Sequence, residues 1–314
     1  MSDTEAFLHE ALAGLSQSPR SLPCKYLYDS RGSELFEAIC ETRDYYVTRA
    51  DLALHDAHLD EISRLIGPDA HVIEFGSGAG LKTRHLLEAL DSPRAYTPIE
   101  ISAAALRASA TELKQRFPAL EIRTVRADYT LPIDDRELVL DPPARRRVIY
   151  FPGSTISNFE HQEARGFLAR LGRIIGPEGG VLIGVDLLKP EQQLIRAYDD
   201  SDGVTAKFNL NLLHRMVREL HADIDVDAFE HEARFNPDQG RIEMHLVARR
   251  ETTIGLDGQR FALDQGESIH TENSHKYSID GFRALAVSAG LRSEQVWTDP
   301  DELFSMHWLT LESS

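Results

Sequence analysis

The chain has 314 residues, 51 acidic and 34 basic, for a formal charge of −17 at pH 7. That length can carry one large domain or two modest ones with a full core, and the acidic balance disfavours a nucleic-acid or anionic-membrane partner, which a concentrated basic face would have to hold. Two cysteines, Cys24 and Cys40, stand outside any CxxC pair, so a disulfide framework or a cysteine zinc site is not expected.

The stretch "MSDTEAFLHEAL" lacks the basic start and apolar run of a signal peptide, and no apolar stretch reaches membrane-spanning length; a cytoplasmic protein is expected. From about residue 70 strands and helices alternate. "HVIEF" (71–75) reads as strand, 81–90 as helix, "AYTPIEI" (95–101) as strand, 102–117 as helix and "LEIRTV" (120–125) as strand. After "RRVIYF" come a helix over 161–175 and the strand "GGVLIGVDLL" (179–188). Residues 191–221 read as helical, and 225–236 and 241–250 flank a Pro-Asp-Gln-Gly turn. "TTIGL" and "RFAL" form a hairpin about Asp257-Gly258. Residues 278–290 read as a helix followed by two closing strands. The pattern is an α/β chain, a doubly wound sheet interrupted by an antiparallel block at 189–276.

The first strand of the alternating region runs into "EFGSGAGLKT" (74–83), whose glycines let the backbone turn before a helix N-terminus. The spacing Gly76-x-Gly78-x-Gly80 is a poor match to the dinucleotide fingerprint. The acid Glu74 before the first glycine is instead usual in Rossmann-like methyltransferases. Glu100 at the end of the second strand can accept both ribose hydroxyls of an adenosine, Asp128 the adenine amino group, and Tyr129 can flank the ring. Together these residues point to S-adenosylmethionine (SAM), with another nucleotide as the competing reading.

Two stretches compete for the segment facing the reactive methyl. "LVLDPPA" (138–144) approaches the D/N-P-P-Y/F pattern of amino-methylating enzymes, but Ala144 stands where an aromatic would stack, and it reads as a loop, like the arginine run 145–147 after it. The second is "VIYFPGSTISNF" (148–159). This segment is similar to that of the histidine-specific Nα-methyltransferases of ergothioneine biosynthesis. So are "KYLYDSRGSELFEAICETRDYYVTRAD" (25–51), residues 197–220, "RIEM" (241–244) and "WTDP" (297–300), so that the resemblance covers nearly the whole chain.

The resemblance implies a Rossmann-like SAM-dependent methyltransferase sheet formed by 51–188 and 277–314. It also implies an inserted α+β substrate-binding domain formed by 1–50 and 189–276. Tyr45, Asn158 and Tyr198 match positions that hold the carboxylate or amino end of the substrate, Tyr28 a tyrosine beside the amino group, and Gly153 a backbone position near it. Glu272 and Ser274 match the pair that grips the imidazole, and Met244 an apolar wall. Gly76, Lys82, Glu100, Asp128 and Tyr129 align with the cofactor shell, with Glu100 where aspartate is common and Tyr129 where phenylalanine is common. Tyr28 and Asn158 are the expected catalytic residues.

Taken alone, the tyrosines and Met244 would be core residues, Asn158 a cap for the following helix, and Glu272 a solvated hairpin acid. The 13 histidines show no HxxxH pattern, so no metal is expected. The resulting expectation is a monomeric enzyme that makes hercynine from L-histidine and three SAM. A SAM-dependent N-methyltransferase of another amino acid or small amine, or a non-catalytic SAM-binding protein, are the alternatives.

Overall fold

The computed structural model describes residues 2–77 and 80–312. Gly78, in the middle of the glycine turn, lies outside the described residues. The chain divides into two compact units, Met1–Tyr46 with Lys189–Lys276, and Val47–Leu188 with Tyr277–Ser314.

The chain starts in the first unit with α1 (Asp3–Leu15), β1 (Arg20–Ser21) and α2 (Ser30–Glu41). It then enters the second unit with α3 (Val47–Ile66), β2 (Ala70–Phe75), α4 (Leu81–Ala89), β3 (Ala95–Glu100) and α5 (Ala103–Arg116). There follow β4 (Glu121–Ile122), β5 (Val125–Arg126), β6 (Arg146–Phe151), α6 (His161–Ile175) and β7 (Gly180–Asp186). The first unit resumes with α7 (Glu191–Tyr198), α8 (Val204–Leu220), β8 (Phe229–Asn236) and β9 (Arg241–Ala248). It ends with β10 (Thr252–Leu256), β11 (Gln259–Leu263) and β12 (Ser268–His275). Helix α9 (Ile279–Ser288), β13 (Leu291–Thr298) and β14 (Phe304–Leu311) complete the second unit.

The second unit is built on a sheet of order β13-β14-β7-β6-β2-β3-β4, with β5 also pairing β3. Strands β2 to β7 run parallel, while β14 is antiparallel to both β7 and β13. Every residue of β2 and β7 is buried, as expected for strands covered on both faces. Ile73, Phe75, Ile149, Phe151, Val181 and Ile183 form one core with Phe167, Leu168 and Leu171 of α6. Gly180 is required where β14 passes, because a Cβ there would sit 2.1 Å from the Trp308 ring.

Sequence and structure differ here in three places. The strand expected over 120–125 is two short pieces, since pairing to β3 lapses at residues 123 and 124. Arg146 and Arg147 are not loop residues but open β6, and their guanidinium groups donate to the carbonyls of Leu65 and Ile174 in the last turns of α3 and α6. Asn158 does not cap α6: it closes a 3-10 turn, Thr155–Asn158, and Glu160 caps the helix through a capping box with Glu163.

The first unit is α+β. Its sheet has the order β1-β12-β9-β8, antiparallel except for β1 on β12. The β10–β11 hairpin turns at Asp257 and Gly258, both with positive φ, the type that matches strand twist. The helix expected over 191–221 is broken. Asp200, three residues before the N-cap Gly203, reaches forward to accept the N–H groups of Val204 (2.9 Å) and Thr205 (2.7 Å) and so satisfies the first donors of α8. Residues 268–275, carrying Glu272 and Ser274, form β12, with a bulge between His270 and Glu272. Among the described residues no helix is long and apolar enough to cross a membrane.

Candidate active site

In an open parallel sheet, ligands bind beyond the carboxyl ends of the strands where the strand order reverses. Here β6 and β3 flank β2 on either side, and the segments leaving β2 and β6 are Gly76–Gly80 and Pro152–Asn158. Gly76 and Gly80 take left-handed backbone, and so do Gly153 and Ser154 in succession. Ser154 Oγ accepts the N–H of Asp186 at 2.8 Å, which ties the turn after β6 to the end of β7.

Beneath this turn lies a polar network that the sequence reading did not single out. Asp51 of α3 is fully buried, and its Oδ2 accepts from Lys82 Nζ at 2.6 Å and from the Gly153 N–H at 2.9 Å. His55, one turn further along α3, directs Nδ1 to the Asp51 carbonyl at 2.8 Å and Nε2 to the Tyr150 hydroxyl at 2.6 Å. A carbonyl can only accept, so Nδ1 carries the proton and Tyr150 donates to Nε2. Burial would raise the Asp51 pKa, but the charge of Lys82 and the hydrogen bonds from His55 and Lys82 outweigh it and hold the carboxylate well below the usual range. Burial, with Asp51 and Glu74 nearby, pushes Tyr150 up, so it stays a neutral donor. Only the i, i+4 spacing of Asp51 and His55 on one helix could have hinted at this network.

Glu74 sits inside the sheet and accepts from Thr83 of α4, at 2.7 and 2.9 Å to its two oxygens, and from the Tyr96 hydroxyl of β3. Burial raises its pKa to about 7 against those hydrogen bonds. It braces the helix after the glycine turn to the strands beside it. Glu100 ends β3 with Oε1 accepting the Ser102 N–H at 3.1 Å, and Asp128 Oδ1 accepts the Thr130 N–H at 3.0 Å. Both carboxyl groups are thus oriented by their own turns. The Tyr129 ring packs among Phe75, Phe151, Phe159 and Phe167, and a Cβ on Gly76 would approach it to 3.4 Å.

These residues fit an adenosyl cofactor. A left-handed glycine turn lets backbone approach a ligand, two strand-end carboxylates suit hydroxyl and amino donors, and an aromatic ring lies beside the turn. Lys82 is committed to Asp51, so it shapes this end of the site through that ion pair and through Gly153.

The first unit gathers most of the remaining candidates. The Tyr28 hydroxyl donates to Glu272 Oε1 at 3.2 Å, and the Tyr198 hydroxyl lies 2.7 Å from Ser274 Oγ. Tyr45 meets Tyr198 edge-on, with ring centroids 5.9 Å apart. Met244 stands directly opposite Glu272 in the β9–β12 pairing, so the two side chains are neighbours on one face. Glu272, Ser274 and Lys276 alternate along the strand and its extension and share that face. Glu272 is 7 % exposed, and burial pushes its pKa up to about 7 against the Tyr28 hydrogen bond and the charge of Lys276. Lys276, which the sequence reading passed over, donates to both the Tyr198 hydroxyl (2.9 Å) and Ser274 Oγ (2.7 Å). Gly153 and Asn158 belong to the second unit.

Comparison with known proteins gives this arrangement a setting. Over residues 7–311 the sequence matches the family described as histidine-specific methyltransferase, SAM-dependent. It is 38 % identical over 304 residues to a histidine N-alpha-methyltransferase of Mycolicibacterium smegmatis, covering 95 % of this chain and 93 % of the relative. It is 39 % identical over 299 residues to the protein of the same name from Mycobacterium tuberculosis, covering 94 % and 91 %. An ergothioneine biosynthesis protein 1 of Neurospora crassa is 29 % identical over 93 % of this chain, which spans 33 % of that longer protein. The extent of the family match and the identity to the mycobacterial enzymes show that the chain belongs to the SAM-dependent, histidine-specific methyltransferases.

Proposed function

We propose that this protein transfers three methyl groups from SAM to the α-amino nitrogen of L-histidine, giving the trimethyl betaine hercynine, the first step of ergothioneine biosynthesis. The observation that carries the reading is the face formed by Glu272, Ser274 and Met244: a buried carboxylate and a hydroxyl two residues apart, beside an apolar wall. An imidazole offers two ring nitrogens and a flat apolar body, which this face complements. Leaving such buried polar groups unpaired costs far more selectivity than losing one apolar contact.

In this reading Tyr45, Tyr198 and Asn158 hold the amino-acid end of the substrate, and Gly153 and Tyr28 lie by its amine. Gly76, Glu100, Asp128 and Tyr129 hold the cofactor, with Lys82 anchoring the same end. Bound SAM supplies an electrophilic methyl on a sulfonium. The protein aligns the amine lone pair with that methyl and keeps the amine unprotonated, and alignment of reacting atoms can supply much of a rate enhancement. Asn158 positions the substrate, while Tyr28 relays the amine proton to water, giving up its own hydroxyl hydrogen as it takes the new one. Mass spectrometry after incubation with histidine and isotopically labelled SAM tests the reading. A gain of three labelled methyl groups on the α-nitrogen supports it; methylation of tryptophan or glutamine in place of histidine rules it out.

A further inference from the structure

Lys276 is 5 % exposed, and its Nζ lies 2.9 Å from the Tyr198 hydroxyl, 2.7 Å from Ser274 Oγ and 4.5 Å from the Tyr198 ring centre. An ammonium has hydrogens to give and no lone pair to receive with. Both hydroxyl oxygens therefore spend a lone pair on Lys276, whatever else they touch. A hydroxyl is ordinarily ambivalent, donor or acceptor as its neighbour demands. One that already accepts from a cation loses acceptor capacity and becomes a stronger donor, because the cation draws electron density from the oxygen. The contact between Tyr198 and Ser274, 2.7 Å apart, uses at most one hydroxyl hydrogen, and a ligand acceptor competes for it.

We propose that Lys276 is a specificity-determining positioning residue, which acts through Tyr198 and Ser274 by fixing both hydroxyls as donors toward the substrate. The proposal rests on the histidine reading above and adds to it what the site demands of its ligand. Two acceptors must be presented, a carboxylate to Tyr198 and an unprotonated ring nitrogen to Ser274, while the other ring nitrogen gives its hydrogen to Glu272. The substrate form selected is then histidine with a neutral imidazole. Amines without the carboxylate, and rings without an acceptor nitrogen, are rejected through the unmet donors rather than by shape.

The test compares kcat/KM for L-histidine, histamine, which lacks the carboxylate, and 3-(pyrrol-2-yl)alanine, which lacks the acceptor nitrogen. It uses the wild-type protein and the Lys276→Met, Lys276→Gln and Lys276→Arg variants. The preference for histidine over each analogue should fall about tenfold or more in Lys276→Met, the scale of one charge-assisted hydrogen bond, and should largely survive in Lys276→Arg. If Lys276→Met does not fold, as judged by loss of its cooperative thermal transition, Lys276→Gln supplies the same ratios. A common fall for all three substrates, with unchanged ratios, would mean that Lys276 only supports the fold and would overturn the inference alone. Absence of histidine methylation by the wild-type protein would overturn the histidine reading and this inference with it.

Discussion

Tyr28 donates to Glu272 across 3.2 Å, from a turn near the start of the first unit to the strand that ends it. Glu272 is an acid with a folded-state pKa near 7, raised from 4.5 chiefly by burial. As an acceptor for an imidazole N–H it must be ionised, so KM for histidine should rise as pH falls through about 7. The free protein should respond in the opposite sense. A group whose pKa is raised on folding stabilises most below its unfolded value, here 4.5, and that contribution is lost as pH rises through about 7. Glu272→Gln should remove the Glu272 part of both profiles: the part of the Tm-versus-pH curve between pH 4.5 and 7, and the limb of kcat/KM near pH 7, leaving only the limb of the substrate's own imidazole at about 6.5. An unchanged acid limb in the variant would show that another group controls it.

Tyr28→Phe separates two roles. Removing the hydroxyl takes away a hydrogen bond that lowers the Glu272 pKa, so the acid limb should move to higher pH. If Tyr28 also handles the amine proton, kcat at alkaline pH should fall about tenfold or more, within the usual range of a general-base contribution, and mono- and dimethylated histidine should accumulate. A shifted limb with unchanged alkaline kcat and product distribution would leave Tyr28 as a partner of Glu272 only.

Lys82→Met strands a buried charge. Asp51 would keep its Gly153 N–H and His55 but lose the cation 2.6 Å away. Breaking such a pair from one side should cost about 2–3 kcal/mol, at or below the lower end for buried pairs because the Lys82 side chain is 21 % exposed. Asp51 is held below its ordinary pKa of 3.8, so its stabilisation is present above that value and lost as pH falls. The variant should therefore unfold at a higher pH on acidification and show a lower urea midpoint at neutral pH. Equal midpoints at neutral pH would show that the pair contributes nothing net.

Gly153→Ala tests the turn itself. The residue has φ of +76°, and a Cβ would stand 3.1 Å from Lys82 Nζ. Left-handed backbone costs a non-glycine residue roughly 1–2 kcal/mol, and the added methyl presses on the ion pair that fixes this backbone N–H. A loss of about 1–2 kcal/mol in denaturant unfolding is expected, with kcat/KM for histidine falling about tenfold (about 1.4 kcal/mol of misalignment). Wild-type kinetics in the variant would show that the turn tolerates the change.

The strands and helices of the second unit were legible because their signals are local. β2, β3 and β7 are short apolar runs bounded by turns, and α6 falls on the residues that its periodicity marked, His161–Ile175. The break at Asp199–Gly203 was legible too, in "DDSDG", but the helical spacing on either side masked it. Lys276 and Asp51 were not. A lysine just past a strand and an aspartate on a helix are surface residues by type, and their meaning comes from partners 78 and 102 positions away, Tyr198 and Gly153. Glu272 needed the family resemblance to be noticed, since a run such as "HTENSHKYS" reads as polar loop until β9 is laid beside it. The sequence marks Asn158 as a cap for α6 beside its substrate role, and the structure gives that cap to Glu160, because the capping box at Glu160 and Glu163 uses residues that also look like an ordinary charged surface.

The position of β14 also governs the order in which a ribosome-born chain can fold. This strand lies between β13 and β7, yet it is made 118 residues after β7 has been completed at Asp186, at Phe304. Throughout that interval β7, a strand with every residue buried in the finished protein, has one side without its native neighbour. An open apolar edge of this kind invites pairing with other chains. A nascent polypeptide that stops short of residue 304 therefore carries a sticky flank that the finished protein conceals, and translational stalling there should end in aggregation rather than in a shorter enzyme.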